Sequence, residues 1–166
     1  ERNAAVVHMT AYAPLFAHYD NWQWRPDLIW FDNLKVVRTP SWYVQQLYGT
    51  HKGTHVLTTT SNGHPLTGQN GLYASTVTDE KTGEIILKIA NTSPETKKVI
   101  YQIKGGDKAT LTADRYLLTS PGKEDENTLA EPHKVVPRKE KISLTGPEFT
   151  LSLEPASFQV IVIGKK

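Results

Sequence analysis

The spacing of apolar and polar positions changes near residue 50 of the chain. Beyond it, short apolar runs rich in β-branched residues alternate with Gly, Pro, Asn and Asp, a pattern typical of β-strands. Strands spaced about 8 to 14 residues apart with no helical stretch between them favour an antiparallel β-sandwich, which we expect to be jelly-roll-like. The predicted strands cover residues 54–60, 72–78, 84–90, 97–103, 108–118, 142–144, 149–153 and 157–163.

Three connections between these strands have distinct signals. The run Ser61-Asn62-Gly63 predicts a turn after the first strand. Residues 79–83 predict a hairpin loop in which Gly83 supplies a positive φ. Residues 120–131 are polar and contain Pro and Gly, so we expect an exposed loop there.

The first 49 residues show a mixed pattern instead. Asn3 is a good N-cap residue, and Val6, Met9 and Ala13 recur at helical spacing, so a short helix with Val6 and Met9 in the core is predicted. Pro14 ends that helix, because proline lacks an N–H and disfavours helical geometry in the residue before it.

Two apolar runs and one further helix follow. Residues 12–18 predict a short strand buried on both faces, whereas residues 28–31 could be a strand or a buried helical turn. The last element is a helix with Thr39 as N-cap, Pro40 in its first turn and Gly49 just beyond its end. Its predicted apolar face carries Val44, Leu47 and Tyr48.

This order of elements is typical of an α/β unit, and one such unit cannot bury both faces of its strand. We therefore predict that residues 1–52 end a larger α/β domain and that residues 53–166 form a separate β-sandwich. In this interpretation the strand at residues 12–18 has lost its barrel neighbours, and its backbone groups must bind water or an improvised partner. The chain opens at Glu1 without a methionine, which fits an internal fragment.

Composition adds a few exclusions. The net charge is +2 with dispersed basic residues, so the sequence predicts neither a nucleic acid nor a membrane partner. The absence of cysteine excludes disulfides and thiolate metal sites but leaves an extracellular or periplasmic location open. The histidines show no metal-ligand spacing, so we predict no metal and no cofactor.

Several strings resemble the C-terminal third of the α-L-arabinofuranosidases of glycoside hydrolase family 51. They are ERNAAVVHM at 1–9, YAPLF at 12–16, WRPDLI at 24–29, TPSWYVQ at 39–45 and LEPASFQV at 153–160. The strings follow the order of that family and span nearly the whole chain.

The resemblance implies a (β/α)₈ catalytic barrel followed by a β-sandwich. Residues 12–18 would be the eighth barrel strand and residues 54–166 the sandwich. The two catalytic glutamates of the family lie on barrel strands four and seven, before Glu1, so none of the residues here is predicted to be catalytic. Of the acids in the barrel-like part, Asp27 is better interpreted as a cap or turn residue.

In barrels of this type the active site lies on the loops that follow the strands. After the eighth strand that loop contains Trp22 and Trp24, whose flat faces suit sugar C–H groups. His18, Asn21 and the intervening Gln23 would bind hydroxyl groups. The same side chains could instead be packing residues, and this is the preferred interpretation for Trp30 and Trp42, the other two of the four tryptophans.

Two classes of function follow. The first is part of an enzyme that releases terminal α-L-arabinofuranosyl groups from arabinan or arabinoxylan, inactive alone, with an arabinose-containing polysaccharide or oligosaccharide as its partner; a homo-oligomer is left open. The second is a non-catalytic carbohydrate-binding sandwich, which needs a planar set of exposed aromatics. Most of the available ones are expected to face the core, which favours an architectural sandwich. They are Tyr73, Tyr101, Tyr116, Phe149 and Phe158.

Overall fold

The computed structural model describes residues 1–106 and 110–164 of the chain, and this part is mainly β-structure with one α-helix. The helix is α1 (Pro40–Thr50), and a single 3-10 turn covers Gln69–Gly71. The strands are β1 (Phe16–His18), β2 (Ile29–Phe31), β3 (Val36–Arg38), β4 (His55–Leu57), β5 (Thr60–Ser61), β6 (His64–Pro65), β7 (Leu72–Thr78), β8 (Ile85–Asn91), β9 (Lys97–Gln102), β10 (Thr110–Leu118), β11 (Arg138–Thr145), β12 (Glu148–Leu153) and β13 (Ser157–Ile163).

The largest sheet has six antiparallel strands in the order β11-β10-β13-β8-β7-β4. A second sheet, formed by β12 and β9, faces it. The two sheets share one apolar core, to which β8 and β13 contribute Leu87 and Ile161 while β12 contributes Leu151 and Leu153. This arrangement confirms the predicted antiparallel β-sandwich.

The other face of the large sheet is covered too. Along β13, Ile161 and Ile163 point into the core between the sheets, whereas Val160 points to the opposite side. There Leu47 of α1 packs against Val160 and Ile86. Burial on both faces explains why residues 160–163 are all apolar instead of alternating with polar residues.

Helix α1 begins as predicted. Thr39 is its N-cap, and the Thr39 Oγ1 accepts a hydrogen bond from the Trp42 N–H at 3.3 Å. The predicted end is wrong, because Gly49 lies inside the helix. The Thr50 hydroxyl donates to the Gln46 carbonyl at 2.8 Å and the His51 N–H to the Leu47 carbonyl at 3.1 Å, so the last turn closes without a glycine cap. No helix among the described residues is long and apolar enough to cross a membrane.

A small sheet precedes α1. β1 pairs with β2 in parallel and β2 pairs with β3 antiparallel, so the ambiguous run at 28–31 is a strand. The strand expected to have lost its barrel neighbours has a partner on one side, because Phe16 to His18 pair with Ile29 to Phe31. The expected burial on both faces is wrong, since Ala17 is buried but Phe16 is 59% exposed. The interpretation of this part as a barrel remnant stays a prediction.

The helix predicted near the N-terminus is absent. Residues 2–6 form turns, in which the Ala4 N–H donates to the Glu1 carbonyl and the Val7 N–H to the Asn3 carbonyl. Val6 and Met9, expected in the core, are exposed. A helix of about ten residues is marginal unless its apolar face packs on something. The helical spacing of Val6, Met9 and Ala13 alone was therefore not enough to predict a helix.

Polar contacts attach residue 1 to the second face of the large sheet. The fully buried ammonium of Lys88 pairs with the carboxylate of Glu1, which also accepts a hydrogen bond from the Ser75 hydroxyl at 2.6 Å. The Lys88 Nζ lies 5.2 Å from the ring centroid of Tyr48 on α1. Burial lowers the pKa of Lys88, and the pairing with Glu1 opposes that shift.

The predicted turns are confirmed. Ser61 pairs with His64 across Asn62 and Gly63, which both have positive φ, and Gly83 closes the hairpin between β7 and β8 with φ 70°.

The predicted strand at 108–118 begins outside the described residues and is confirmed from Thr110 onward. β11 is longer than predicted because its polar start, from Arg138, pairs with β10.

We predict that Ile161→Ala lowers the free energy of unfolding by about 2 to 5 kcal/mol, because it leaves a cavity in a site with no exposed surface. The matched control is Ile100→Ala, an isoleucine on β9 that is largely exposed. This change should cost less than about 1 kcal/mol. Urea unfolding monitored by circular dichroism measures both, and equal losses would contradict the described core.

Candidate functional site

The loop between β1 and β2 turns sharply just after His18. The Asn21 N–H donates to the His18 carbonyl at 3.1 Å, and the Asp20 N–H donates to the His18 Nδ1 at 3.3 Å. The His18 ring also packs edge-on against Phe31, with 5.3 Å between ring centroids. The structure therefore brings His18 and Asn21 together at the end of β1.

These contacts define what His18 can offer a ligand. Because Nδ1 accepts a hydrogen bond, the neutral ring carries its proton on Nε2. The Nε2–H can then donate to an oxygen, while the exposed amide of Asn21 can both donate and accept. The pair has the hydrogen-bonding groups that a sugar hydroxyl requires.

The tryptophans of this segment divide into exposed and packed ones. Trp22 and Trp24 are 48% and 59% exposed. Trp22 contacts the buried Trp30 edge-on, with ring centroids 5.9 Å apart, so its ring is supported while part of its surface stays open. Trp42 packs edge-on against Tyr43 at 5.1 Å. The packing role expected for Trp30 and Trp42 is confirmed.

Arg25 was not singled out from the sequence. Its guanidinium carbon lies 4.8 Å from the ring centroid of Trp30 and 5.6 Å from that of Trp22. Its Nη1 donates to the Glu126 Oε2 at 3.3 Å. The tryptophans next to Arg25 in the sequence could have indicated a contact between its cation and an aromatic ring. Glu126 is 101 positions away, so no local pattern indicates its pairing with Arg25.

Two acids of the segment, Asp32 and Asp27, differ in their surroundings. The Asp32 Oδ1 accepts hydrogen bonds from the Leu34 N–H at 2.7 Å and the Lys35 N–H at 2.6 Å. These two backbone bonds lower the pKa of Asp32, as expected for a turn acid. Asp27 is buried just before β2, and its Oδ2 has no hydrogen-bond partner among the described residues.

The aromatic side chains of the sandwich do not form a platform. Phe149 packs against Tyr101 at 5.6 Å and Phe158 stacks on Tyr48 at 5.5 Å. Tyr116 contacts the ring of His51 and the ammonium of Lys139. Of the five sandwich aromatics named above, only Tyr73 is exposed, at 45%.

A cleft of about 420 Å³ lies beside α1. Its lining is Tyr43, Gln46, Leu47, Thr50, His51, Tyr116, His133, Val136 and Pro137. Burial lowers the pKa of His51, while its contact with the Leu47 carbonyl and the charge of Glu84 act in the opposite direction.

Within residues 1–106 and 110–164, no three histidine or acidic side chains are grouped so that they could hold a metal ion.

Residues 1–157 of the chain match the family model described as the α-L-arabinofuranosidase C-terminal domain. It is 31% identical to α-L-arabinofuranosidase 1 of Arabidopsis thaliana over 163 residues, which is 95% of this chain and 24% of that protein. A probable α-L-arabinofuranosidase A of Aspergillus flavus is 32% identical and is covered to the same 24%. The chain thus spans about a quarter of these relatives.

Solved structures show the same fold. An arabinose-bound α-L-arabinofuranosidase of glycoside hydrolase family 51 superposes with a TM-score of 0.85 at 28% identity, over 99% of this chain and 25% of that one. The α-L-arabinofuranosidase from Thermotoga maritima, also an arabinose complex, superposes over 84% of this chain and 32% of that one, with a TM-score of 0.71 at 19% identity. At that lower identity the likeness concerns the fold alone.

The lowered pKa of His51 predicts a pH-dependent stability. The unfolded histidine has the ordinary pKa of 6.5, so below it the unfolded state binds more protons than the folded state. Stability that is present above pH 6.5 is therefore lost as the pH falls. We expect His51→Gln to lose less stability than the unchanged chain between about pH 7 and 5.

Urea unfolding at several pH values measures this difference. His8→Gln is the control, since it replaces an exposed histidine outside the cleft. The prediction fails if the His51 and His8 variants lose stability in parallel.

Proposed function

Since the chain belongs to the α-L-arabinofuranosidase C-terminal domain family, we propose that it is the C-terminal part of a retaining glycosidase that releases terminal α-L-arabinofuranosyl residues from arabinan or arabinoxylan. The observation that carries this proposal is the loop after β1. In this loop His18 and Asn21 are bridged, and Trp22 and Trp24 are partly exposed, after the carboxyl end of a strand that has a parallel neighbour. Substrates of barrel enzymes bind at such ends.

Each of the four residues has a role in the proposal. The partly exposed ring of Trp22 packs against the apolar C–H face of an arabinosyl ring, and Trp24 contacts the sugar unit beyond it. His18 donates from Nε2 to a hydroxyl oxygen, and Asn21 binds a second hydroxyl. Together they contribute substrate binding and no bond cleavage.

Catalysis belongs to other residues in this proposal. Retaining hydrolysis needs an acid/base and a nucleophilic carboxyl group about 5 to 5.5 Å apart. Asp32 is already engaged by two backbone N–H groups, and Asp27 is buried. We propose that both catalytic glutamates lie in the part of the longer protein that precedes residue 1, and that residues 1–52 complete its barrel.

The proposed role of residues 53–166 is architectural. A polysaccharide-binding sandwich presents several coplanar aromatic rings, whereas four of the five candidate rings here pack against other side chains. The continuous packing between α1 and the large sheet supports a sandwich that holds the barrel end in place. No observation favours the alternative of an independent carbohydrate-binding module.

We predict that Trp22→Ala raises the KM of the longer protein for a nitrophenyl α-L-arabinofuranoside about tenfold, a change equivalent to about 1.4 kcal/mol of binding. The loss of one flat apolar contact accounts for an effect of that size. Tyr73→Ala is the matched control, because Tyr73 is an aromatic of similar exposure on the sandwich. It should leave KM unchanged.

Steady-state kinetics measure these constants. The 166-residue chain by itself gives the background and should show no turnover, because each catalytic carboxyl contributes orders of magnitude to the rate. Turnover by this chain, or an unchanged KM for Trp22→Ala, would contradict the proposal.

A further inference from the structure

The side chain of Arg25 is held from several sides. Its guanidinium carbon lies within 6 Å of the ring centroids of Trp22 and Trp30, a distance at which a cation is attracted to an aromatic face. Its Nη1 is also paired with the Glu126 Oε2 at 3.3 Å. Because Trp30 is buried and Trp22 is partly exposed, Arg25 connects a fixed ring to a ring at the surface.

Glu126 belongs to the loop between β10 and β11, and both of its chain neighbours are anchored there. Asp125 accepts hydrogen bonds from the Ser120 hydroxyl and, at 2.9 Å, from the Gly122 N–H. These bonds and the nearby Lys134 lower the pKa of Asp125 to about 2. The buried Asn127 is fixed through its amide. The backbone of Glu126 is therefore held between two well-anchored residues.

The anchoring of Asn127 joins this loop to the small sheet. Its Nδ2 donates to the Val135 carbonyl at 2.9 Å and to the Arg38 carbonyl on β3 at 2.8 Å, and its Oδ1 accepts from the Val135 N–H at 2.7 Å. Leu129 of the same loop packs against the cluster formed by Ala17, Trp30 and Val37. A loop of the sandwich is thus fixed relative to the small sheet, whose strands β1 and β2 flank the loop with the predicted sugar-binding residues.

We infer that Glu126 is a positioning residue for the sugar-binding loop. It orients Arg25, and Arg25 holds the ring of Trp22 against Trp30 so that the open part of Trp22 meets the arabinosyl ring. This inference rests on the proposed function of Trp22. The sandwich then shapes the substrate site through one loop, although it offers no aromatic platform of its own.

The expected effect is modest and sensitive to salt. The side chains of Arg25 and Glu126 are 48% and 57% exposed, and an exposed ion pair changes an affinity by a factor of about two to five. Because salt screens exposed pairs, the effect of removing the charge should shrink as the ionic strength rises. A role of Glu126 in folding alone would not produce this dependence in KM.

The first test uses the 166-residue chain and the indole N–H signals of its tryptophans in NMR spectra. Glu126→Gln should move the signals of Trp22 and Trp30. Glu124→Gln, the same change at an exposed position two residues earlier on the loop, should not. Arg25→Gln, which removes the cation itself, should move the same two signals, and adding Glu126→Gln to that variant should move them no further. Signals unaffected by Glu126→Gln would overturn the inference.

The second test uses the kinetics of the longer protein. Glu126→Gln should raise KM about two- to fivefold at low salt with kcat unchanged, and Glu124→Gln should change neither constant. If Trp22→Ala raises KM and Glu126→Gln does not, the inference is wrong and the proposed function stands. If Trp22→Ala has no effect on KM, the proposed function itself is wrong.

Discussion

The structure depends on covering both faces of its six-stranded sheet. One face is covered by β9 and β12, and the other by helix α1 together with the first residues of the chain. β13 lies in the middle of this arrangement, and its alternate side chains enter two different apolar clusters. Removing the helix would expose Val160 and Ile86, which are almost completely buried. The segment before residue 53 is therefore required by the sandwich, whatever its further role.

Polar contacts fix the relative positions of segments that apolar packing alone does not determine. The Glu1 carboxylate joins Ser75 and Lys88, which are paired across β7 and β8, and a buried ammonium without that carboxylate would be strongly destabilising. On the opposite side of the segment, Asn127 joins β3 to the loop between β10 and β11. The Asn127 contact fixes the small sheet relative to the sandwich, and with it the loop that presents Trp22 and Trp24.

The sequence predicted the sandwich well because each strand and turn has a local signal. Residues 72–78 and 157–163 match β7 and β13 to the residue, and Gly63 and Gly83 mark two hairpins. The first 38 residues were harder. Their structure depends on partners distant in sequence, so helical spacing at Val6 and Met9 misled, and β3 was missed. For the same reason the contact between Arg25 and Glu126 could not be predicted from the sequence. The loop after residue 18 could be predicted, because its signal is local.

The central claim is that the tryptophan-bearing segment and the sandwich are joined by packing into one folding unit. All four tryptophans lie between residues 22 and 42, whereas most of the strands follow residue 54, so two signals report on the two parts separately. Urea unfolding followed by tryptophan fluorescence and by far-ultraviolet circular dichroism tests the claim directly. The account predicts transitions that coincide, as a single cooperative unit requires. A fluorescence transition completed at a lower urea concentration than the circular dichroism transition would contradict it.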